Sequence, residues 1–318
     1  MPAEVPGRGA GILGVVSVPL GIVDRSDRGK LAISGADARA ALNGVVTNDV
    51  EGLEPGAGVL AAVLTPKGRM LGDLRVLDAG GELLLDMERA ALQQVFDAVR
   101  HGLVGYRAEL HKRTLQCGLL SLLGDGARAA AGAPDLSEAE HAHAPASVAG
   151  AAVRVIATDL GVDVLCDAAD TEHVREALVA GGAAELSSDA AEVLRVESGR
   201  PRYGVDLDDT VIPQEAGLND RAVSFTKGCY VGQETVARLF YKGRPNRHLR
   251  GLRLSAAAPA GVPLLLGERA VGTLTSSAVS PAYGPIGLAL VRREAEPGAE
   301  LQVGGGDVRA TVVALPFT

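Results

Sequence analysis

Cysteine is scarce. The chain has three, Cys117, Cys166 and Cys229, with no C-x-x-C pair or His/Cys cluster beside them, which excludes a disulfide framework and a structural zinc site. Long apolar runs are absent too: the most apolar terminal stretch, residues 9–20, is broken by Gly9, Gly11, Gly14 and Pro19 and follows Glu4 and Arg8. It is too short to span a membrane. The chain reads as a soluble cytoplasmic protein, with a signal peptide as the alternative reading of that stretch. Positive charge is in deficit, 31 Lys and Arg against 39 Asp and Glu for a net charge of −8, which argues against a globally basic nucleic-acid binder. With 47% hydrophobic and 22% charged residues over 318 positions, disorder of the whole chain is excluded and roughly two or three cores fit the length.

Aromatic residues number only nine, yet Tyr203, Phe225, Tyr230, Phe240 and Tyr241 all fall within 203–241. Charge clusters in the same region. Residues 221–253 carry Arg221, Lys227, Arg238, Lys242, Arg244, Arg247, Arg250 and Arg253 against the single acid Glu234, a local +7 that leaves −15 for the remainder.

Periodicity predicts an α+β protein. Strands are expected at 31–34, 58–64, 71–77 and 82–86, a short helix at 37–42, and a helix over 88–101 from the spacing of Leu92, Val95, Phe96 and Val99. Residues 106–123 alternate enough for two strands, and 124–150, rich in Ala, Gly and Pro, reads as a surface loop or domain junction. A hairpin over 152–157 and 162–166 precedes a helix over 171–180 that Gly181 and Gly182 terminate. Ser188 is the expected N-cap of the next helix, and a helix is expected over 233–239. Beyond Pro245, short β runs at 248–254, 262–266, 271–275, 286–291 and 308–314 indicate a small separate barrel. Helices and strands before it lack βαβ alternation, which argues against a doubly wound sheet.

Several motifs compete for function. Gly9-Ala10-Gly11-Ile12-Leu13-Gly14 matches G-x-G-x-x-G, but no strand precedes it and Pro19 follows, so the dinucleotide reading lacks its structural context. His141 and His143 have no nearby partner ligands and read as a solvated loop. Cys117 and Cys166 sit in apolar strand patterns typical of inert thiols. Cys229 differs, lying between glycines beside Lys227 and Tyr230. A nearby lysine favours thiolate, and a buried structural cysteine at a tight turn is the alternative. Upstream, Glu215 stands in the turn Ile212-Pro213-Gln214-Glu215-Ala216-Gly217. An ionised carboxylate accepts two adjacent N–H donors, as a planar amino-heterocycle presents them; an exposed loop acid is the alternative. Acid, ring faces and positive stretch together suit a flat aromatic ligand with an anionic tail.

The run Lys227-Gly228-Cys229-Tyr230-Val231-Gly232-Gln233-Glu234 resembles the K-G-C-Y-x-G-Q-E signature of the YgfZ family of folate-binding proteins, which is related to the aminomethyltransferase (T-protein) of glycine cleavage. The resemblance extends through Leu42-Asn43-Gly44 with Thr47-Asn48-Asp49, Leu64-Thr65-Pro66-Lys67-Gly68, Pro213-Gln214-Glu215-Ala216-Gly217 and Val271-Gly272-Thr273-Leu274-Thr275-Ser276. It implies a three-module ring: a folate-binding region over 1–244 made of two α+β modules, discontinuous in sequence, and a C-terminal β-barrel over 245–318. It also implies tetrahydrofolate or a one-carbon derivative as cofactor. Glu215 would hold the pterin, Tyr203 and Tyr230 would frame it, and Asn48, Gln233 and Arg238 would complete the cofactor-binding set.

In the aminomethyltransferase, a G-G-x-x-D-D stretch places an acid near folate N5. Here the run is Gly68-Arg69-Met70-Leu71-Gly72-Asp73, so Gly72 stands where the first acid aligns and Asp73 alone remains. Such groups contribute about 10²–10⁴-fold in rate. The resemblance therefore implies an accessory role in iron-sulfur cluster assembly or repair, for client enzymes that thiolate tRNA. In that role Cys229 is the reactive group, activated by Lys227. A folate-dependent aminomethyltransferase or demethylase using Asp73 is the alternative, and direct RNA binding through 221–253 the third.

Overall fold

The computed structural model describes residues 19–318, so the 9–14 motif and all but the last two positions of the apolar stretch lie outside the described residues. In chain order, β1 (Gly21–Asp24) and β2 (Gly29–Ser34) lead to α1 (Ala38–Asn43), β3 (Gly58–Leu64), β4 (Met70–Asp78), β5 (Glu82–Met87), α2 (Leu92–Gly102) and β6 (Glu109–Lys112). Then come β7 (Cys117–Leu123), α3 (Ala127–Ala130), β8 (His143–Val148), β9 (Ala151–Thr158), β10 (Gly161–Asp167), α4 (Thr171–Ala180) and β11 (Ala184–Glu185). Three helices follow, α5 (Ser188–Glu197), α6 (Asn219–Ala222) and α7 (Gln233–Lys242). The chain closes with β12 (Arg247–Leu254), β13 (Pro263–Leu266), β14 (Arg269–Ser280), β15 (Gly284–Arg292), β16 (Glu300–Val303) and β17 (Arg309–Val313).

These strands make a five-stranded sheet ordered β3-β4-β5-β2-β6, a six-stranded sheet ordered β11-β1-β7-β10-β9-β8, and a closed barrel β12-β15-β14-β13-β16-β17. The first sheet buries one face against α1 and α2, where Val95 and Val99 form the inward stripe. Residues far along the chain return to that core: Tyr203, Leu207, Val211, Leu218, Val223, Tyr230 and Val236 pack with Leu31, Leu42, Met70 and Leu74. The first module is thus built from two separated stretches. The second sheet and the barrel bury their own clusters.

Charged side chains join the first two modules. Arg75 on β4 donates through Nε to Asp86 at 2.7 Å and through a terminal nitrogen to Asp163 on β10 at 2.5 Å. Arg28 Nε donates to Asp86 at 2.7 Å, and Ser121 donates to Asp163. A second network holds the barrel: Arg195 of α5 donates to Asp206 at 2.7 Å, and Ser276 on β14 donates to the other oxygen of that carboxylate, also at 2.7 Å.

Most expected elements are present, with five corrections. The 124–150 segment is not simply a loop, for it contains α3 and β8. His141 and His143, expected in solvent, are 7% and 3% exposed. β8 is an edge strand, which tolerates Pro145 and small residues that hide its pattern. The N-cap of α5 is Ser187, whose Oγ accepts from Ala190 N–H, and Ser188 is the first helical residue. The 88–101 helix begins with a 3₁₀ turn over Arg89–Ala91. Finally, the barrel has a sixth strand, β16, too short and too close to glycine turns to stand out. Among the described residues no helix is long and apolar enough to cross a membrane.

Candidate functional site

The site is built where the chain from 203 to 219 returns to the start of β4. Met70 N–H donates to the Val211 carbonyl at 2.9 Å, and the Tyr203 hydroxyl donates to the Met70 carbonyl at 3.4 Å. Three residues along β4 lies Asp73. A Cβ on its neighbour Gly72 would stand 2.6 Å from Ala91 Cβ and 3.0 Å from Val95 Cγ2, so position 72 faces the helices. Side chains alternate along a strand, so Asp73 faces the opposite way, with Arg75, toward the second module. An acid at position 72 would therefore point to the helices, and Asp73 is the carboxylate that this part of β4 turns the other way. Gly72→Asp should destabilise the fold by about 3–5 kcal/mol by crowding the helix and burying an unpaired charge. Urea denaturation measures this; an unchanged midpoint would put position 72 on the open face.

Asp73 has an uncompensated carboxyl. Its Oδ1 is buried without a hydrogen-bond partner. Burial, only partly offset by Arg28, pushes its pKa up to about 6. Three further buried atoms lack partners along the returning chain and the barrel's first strand: Gln214 Oε1, Asn219 Oδ1 and Arg250 Nε. Of these four atoms, three are acceptors.

Glu215 is buried, not an exposed loop acid. Its carboxylate is forked by Arg247, with Nε at 3.1 Å from one oxygen and a terminal nitrogen at 2.8 Å from the other. Its backbone carbonyl accepts from Leu249 N–H at 2.7 Å. The side-by-side donors expected of a ligand are here supplied by Arg247, a partner that sequence reasoning missed. Oε2 also accepts from Ile212 N–H at 3.4 Å, so Oε1 is the oxygen that keeps a second lone pair.

Lys227 does not serve Cys229. Its ammonium donates to the carbonyls of Asn43, Val46 and Asn48 at 2.6, 2.8 and 2.8 Å, which uses all three of its N–H bonds, and burial lowers its pKa to about 8. The lysine instead pins the Asn43–Asn48 turn to the signature loop. Cys229 is exposed, which removes the reading of a buried structural thiol. Downstream, Gly232 (φ 84°) admits no Cβ, because one would approach the Thr65 carbonyl to 2.6 Å. That close approach seats the start of α7 on the Thr65–Gly68 turn.

The other expected residues are dispersed. Tyr230 is buried in the first core with the Lys227 ammonium 5.4 Å from its ring centre. Asn48 spends both amide N–H bonds on the Leu60 and Arg221 carbonyls, at 2.8 and 3.2 Å, which makes it a staple of the backbone. Gln233 opens α7 half-buried, and Arg238 is exposed farther along it. His143 bridges the Ala57 carbonyl and Arg154, whereas both ring nitrogens of His141 are buried without a hydrogen bond, Nε2 standing 3.6 Å from the Glu140 carboxylate. Gln214 and Asn219 also escaped the sequence reading, although Gln214 adjoins Glu215.

Comparison with known proteins gives the family. The profile described as GCVT N-terminal domain matches residues 15–227, and that described as glycine cleavage T-protein C-terminal barrel domain matches 247–318. An aminomethyltransferase of Rubrobacter xylanophilus is 30% identical over 99% of this chain and 88% of its own length. One from Streptomyces avermitilis is 30% identical over 93% and 86%. The crystal structure of the glycine cleavage system aminomethyltransferase T from Bartonella henselae superposes with a TM-score of 0.85 at 21% identity, covering 95% of this chain and 87% of that one. With both domains matched in order along its length, the chain belongs to the aminomethyltransferase family of glycine cleavage T-proteins.

Proposed function

We propose that this protein binds tetrahydrofolate against the Asp73 face of β4 and carries out a folate-dependent aminomethyl transfer or demethylation, with Asp73 handling the proton. The observation that carries this reading is the partly desolvated carboxyl of Asp73, whose Oδ1 has no hydrogen-bond partner. Perturbed carboxyls of this kind concentrate at sites of proton transfer.

A reduced pterin is rich in N–H donors, and the unpartnered oxygens of Asp73, Gln214 and Asn219 are acceptors in want of them. Glu215, fixed by Arg247, offers the free lone pair of Oε1 to the pterin edge, and Tyr203 anchors the returning chain to Met70 beside it. Tetrahydrofolate, when bound, supplies the amine that accepts a one-carbon unit. Asp73 holds its proton below about pH 6 and accepts one above it. The names of the relatives and the displacement of the missing acid to the helix side of β4 support a transferase over an accessory role.

Calorimetric titration with tetrahydrofolate tests the site. Glu215→Gln should weaken binding by about tenfold, while Asp73→Asn should bind nearly as well as the parent but release no ammonia or methylenetetrahydrofolate with an aminomethyl-loaded lipoyl carrier. Unaltered binding by Glu215→Gln overturns the placement of the pterin.

A second reading is favoured by the exposed thiol of Cys229 in the YgfZ-like signature. There the folate-loaded protein supports iron-sulfur client enzymes of tRNA modification, and Cys229 is the reactive group without help from Lys227. Cys229→Ala would then keep folate affinity but lose support of tRNA thiolation in cells. Normal thiolation in such cells eliminates this reading.

A further inference from the structure

The five clustered aromatics divide into two sets. Tyr203 and Tyr230 are core residues, whereas Phe240 and Tyr241 stand at the surface, joined to the first core's edge through the half-buried Phe225. Phe225 and Phe240 stack with centroids 3.8 Å apart at 17°, and Tyr241 stands edge-on to Phe240 at 5.1 Å. Phe240 is 46% and Tyr241 67% exposed, an unusual cost for large rings.

The clustered cations divide in the same way. Arg221 is paired with Glu140, Arg247 with Glu215, Lys227 is spent on carbonyls, and Arg253 caps the Thr318 carbonyl. On α7 and just after it, Arg238, Lys242 and Arg244 are all exposed. Among the described residues none of the three forms an ion pair, and the only acid on α7, Glu234, lies in its first turn.

We infer that the C-terminal half of α7, with Phe225 behind it, is a binding surface for a short single-stranded nucleic acid. Open ring faces suit unstacked bases, and free cations beside them suit phosphates. The charge of the rest of the molecule sets the length. With −15 outside residues 221–253, an extended polyanion or an anionic bilayer would meet repulsion beyond the patch, whereas a few nucleotides would not. This surface is independent of the folate reading, because Tyr241 and Lys242 take no part in the proposed folate site.

The test is fluorescence anisotropy of the full chain with a labelled 12-nucleotide oligouridine. Three phosphate contacts give a slope of log K against log salt of about −2, and Lys242→Ala should reduce its magnitude by about 0.7. Tyr241→Ala should weaken binding about tenfold and Tyr241→Phe should restore it, since the ring does the work. Tyr241→Ala binding equal to the parent overturns the inference. So does equal displacement of the oligonucleotide by poly-L-glutamate or by phosphatidylserine vesicles, which would show that the surface recognises charge alone.

Discussion

Asp73→Asn should make the protein more stable at pH 7.5 by about 2 kcal/mol while lowering folate-dependent turnover by about 10²–10⁴-fold. The two effects have one origin. The carboxyl keeps its proton to about pH 6 in the folded protein but releases it near 3.8 when unfolded. Between those values the native state binds more protons, so stability falls as pH rises. At ~1.4 kcal/mol per pH unit the interval is worth about 3 kcal/mol, and residual solvent access to the side chain reduces this to about 2. Asparagine abolishes the cost, so its advantage should be present above pH 6 and vanish below pH 4. Thermal melts at pH 7.5 and 3.5 read the stability arm, and the activity arm should show parent turnover rising through about pH 6. If parent and variant melt alike at pH 7.5, the carboxyl is not strained and loses its claim to the chemistry.

Asp86→Ala should destabilise by about 3–5 kcal/mol, a loss as large as that expected of Gly72→Asp. Burial alone would raise the pKa of this carboxyl, but Arg28 and Arg75 more than offset it and hold the group well below the usual carboxylate range. Truncation would leave Arg28 without one of its two carboxylates, and Arg75 with only Asp163, in a setting closed to water. Because the native pKa is depressed, the stabilisation is complete above the unfolded value near 4 and is lost as pH falls through the native one. Urea midpoints of the parent should therefore decline steeply below pH 4, while those of Asp86→Ala, already low, should change less. Parallel pH profiles would show that the network contributes nothing net.

Secondary structure was most legible where local chemistry was sufficient. The helix over 171–180 matches α4 at both ends because two glycines stop it, and the barrel strands follow from alternation between Gly and Pro turns. β8 was hidden because an edge strand needs little hydrophobicity, and its first residue, His143, is held by the Ala57 carbonyl of the other module, a contact with no local trace. The same limit governs the site. Asp73 and Glu215 could be picked out by type and motif, but which side of β4 bears function depends on where α2 packs. Lys227 sits two residues from Cys229, yet its partners are carbonyls near 43–48, roughly 180 positions away. Proximity in sequence suggested an activated thiol; tertiary distance made it a clamp.

Glu215 owes its pose to the barrel. Two of its anchors, the guanidinium of Arg247 and the amide of Leu249, belong to β12, and only the 3.4 Å bond from Ile212 N–H is local. A chain ending before that strand would keep the acid but lose its counter-ion. The terminal module therefore works as a jig for the first, and a hybrid made by grafting a relative's barrel should keep ligand affinity only if it brings an arginine at the position of 247.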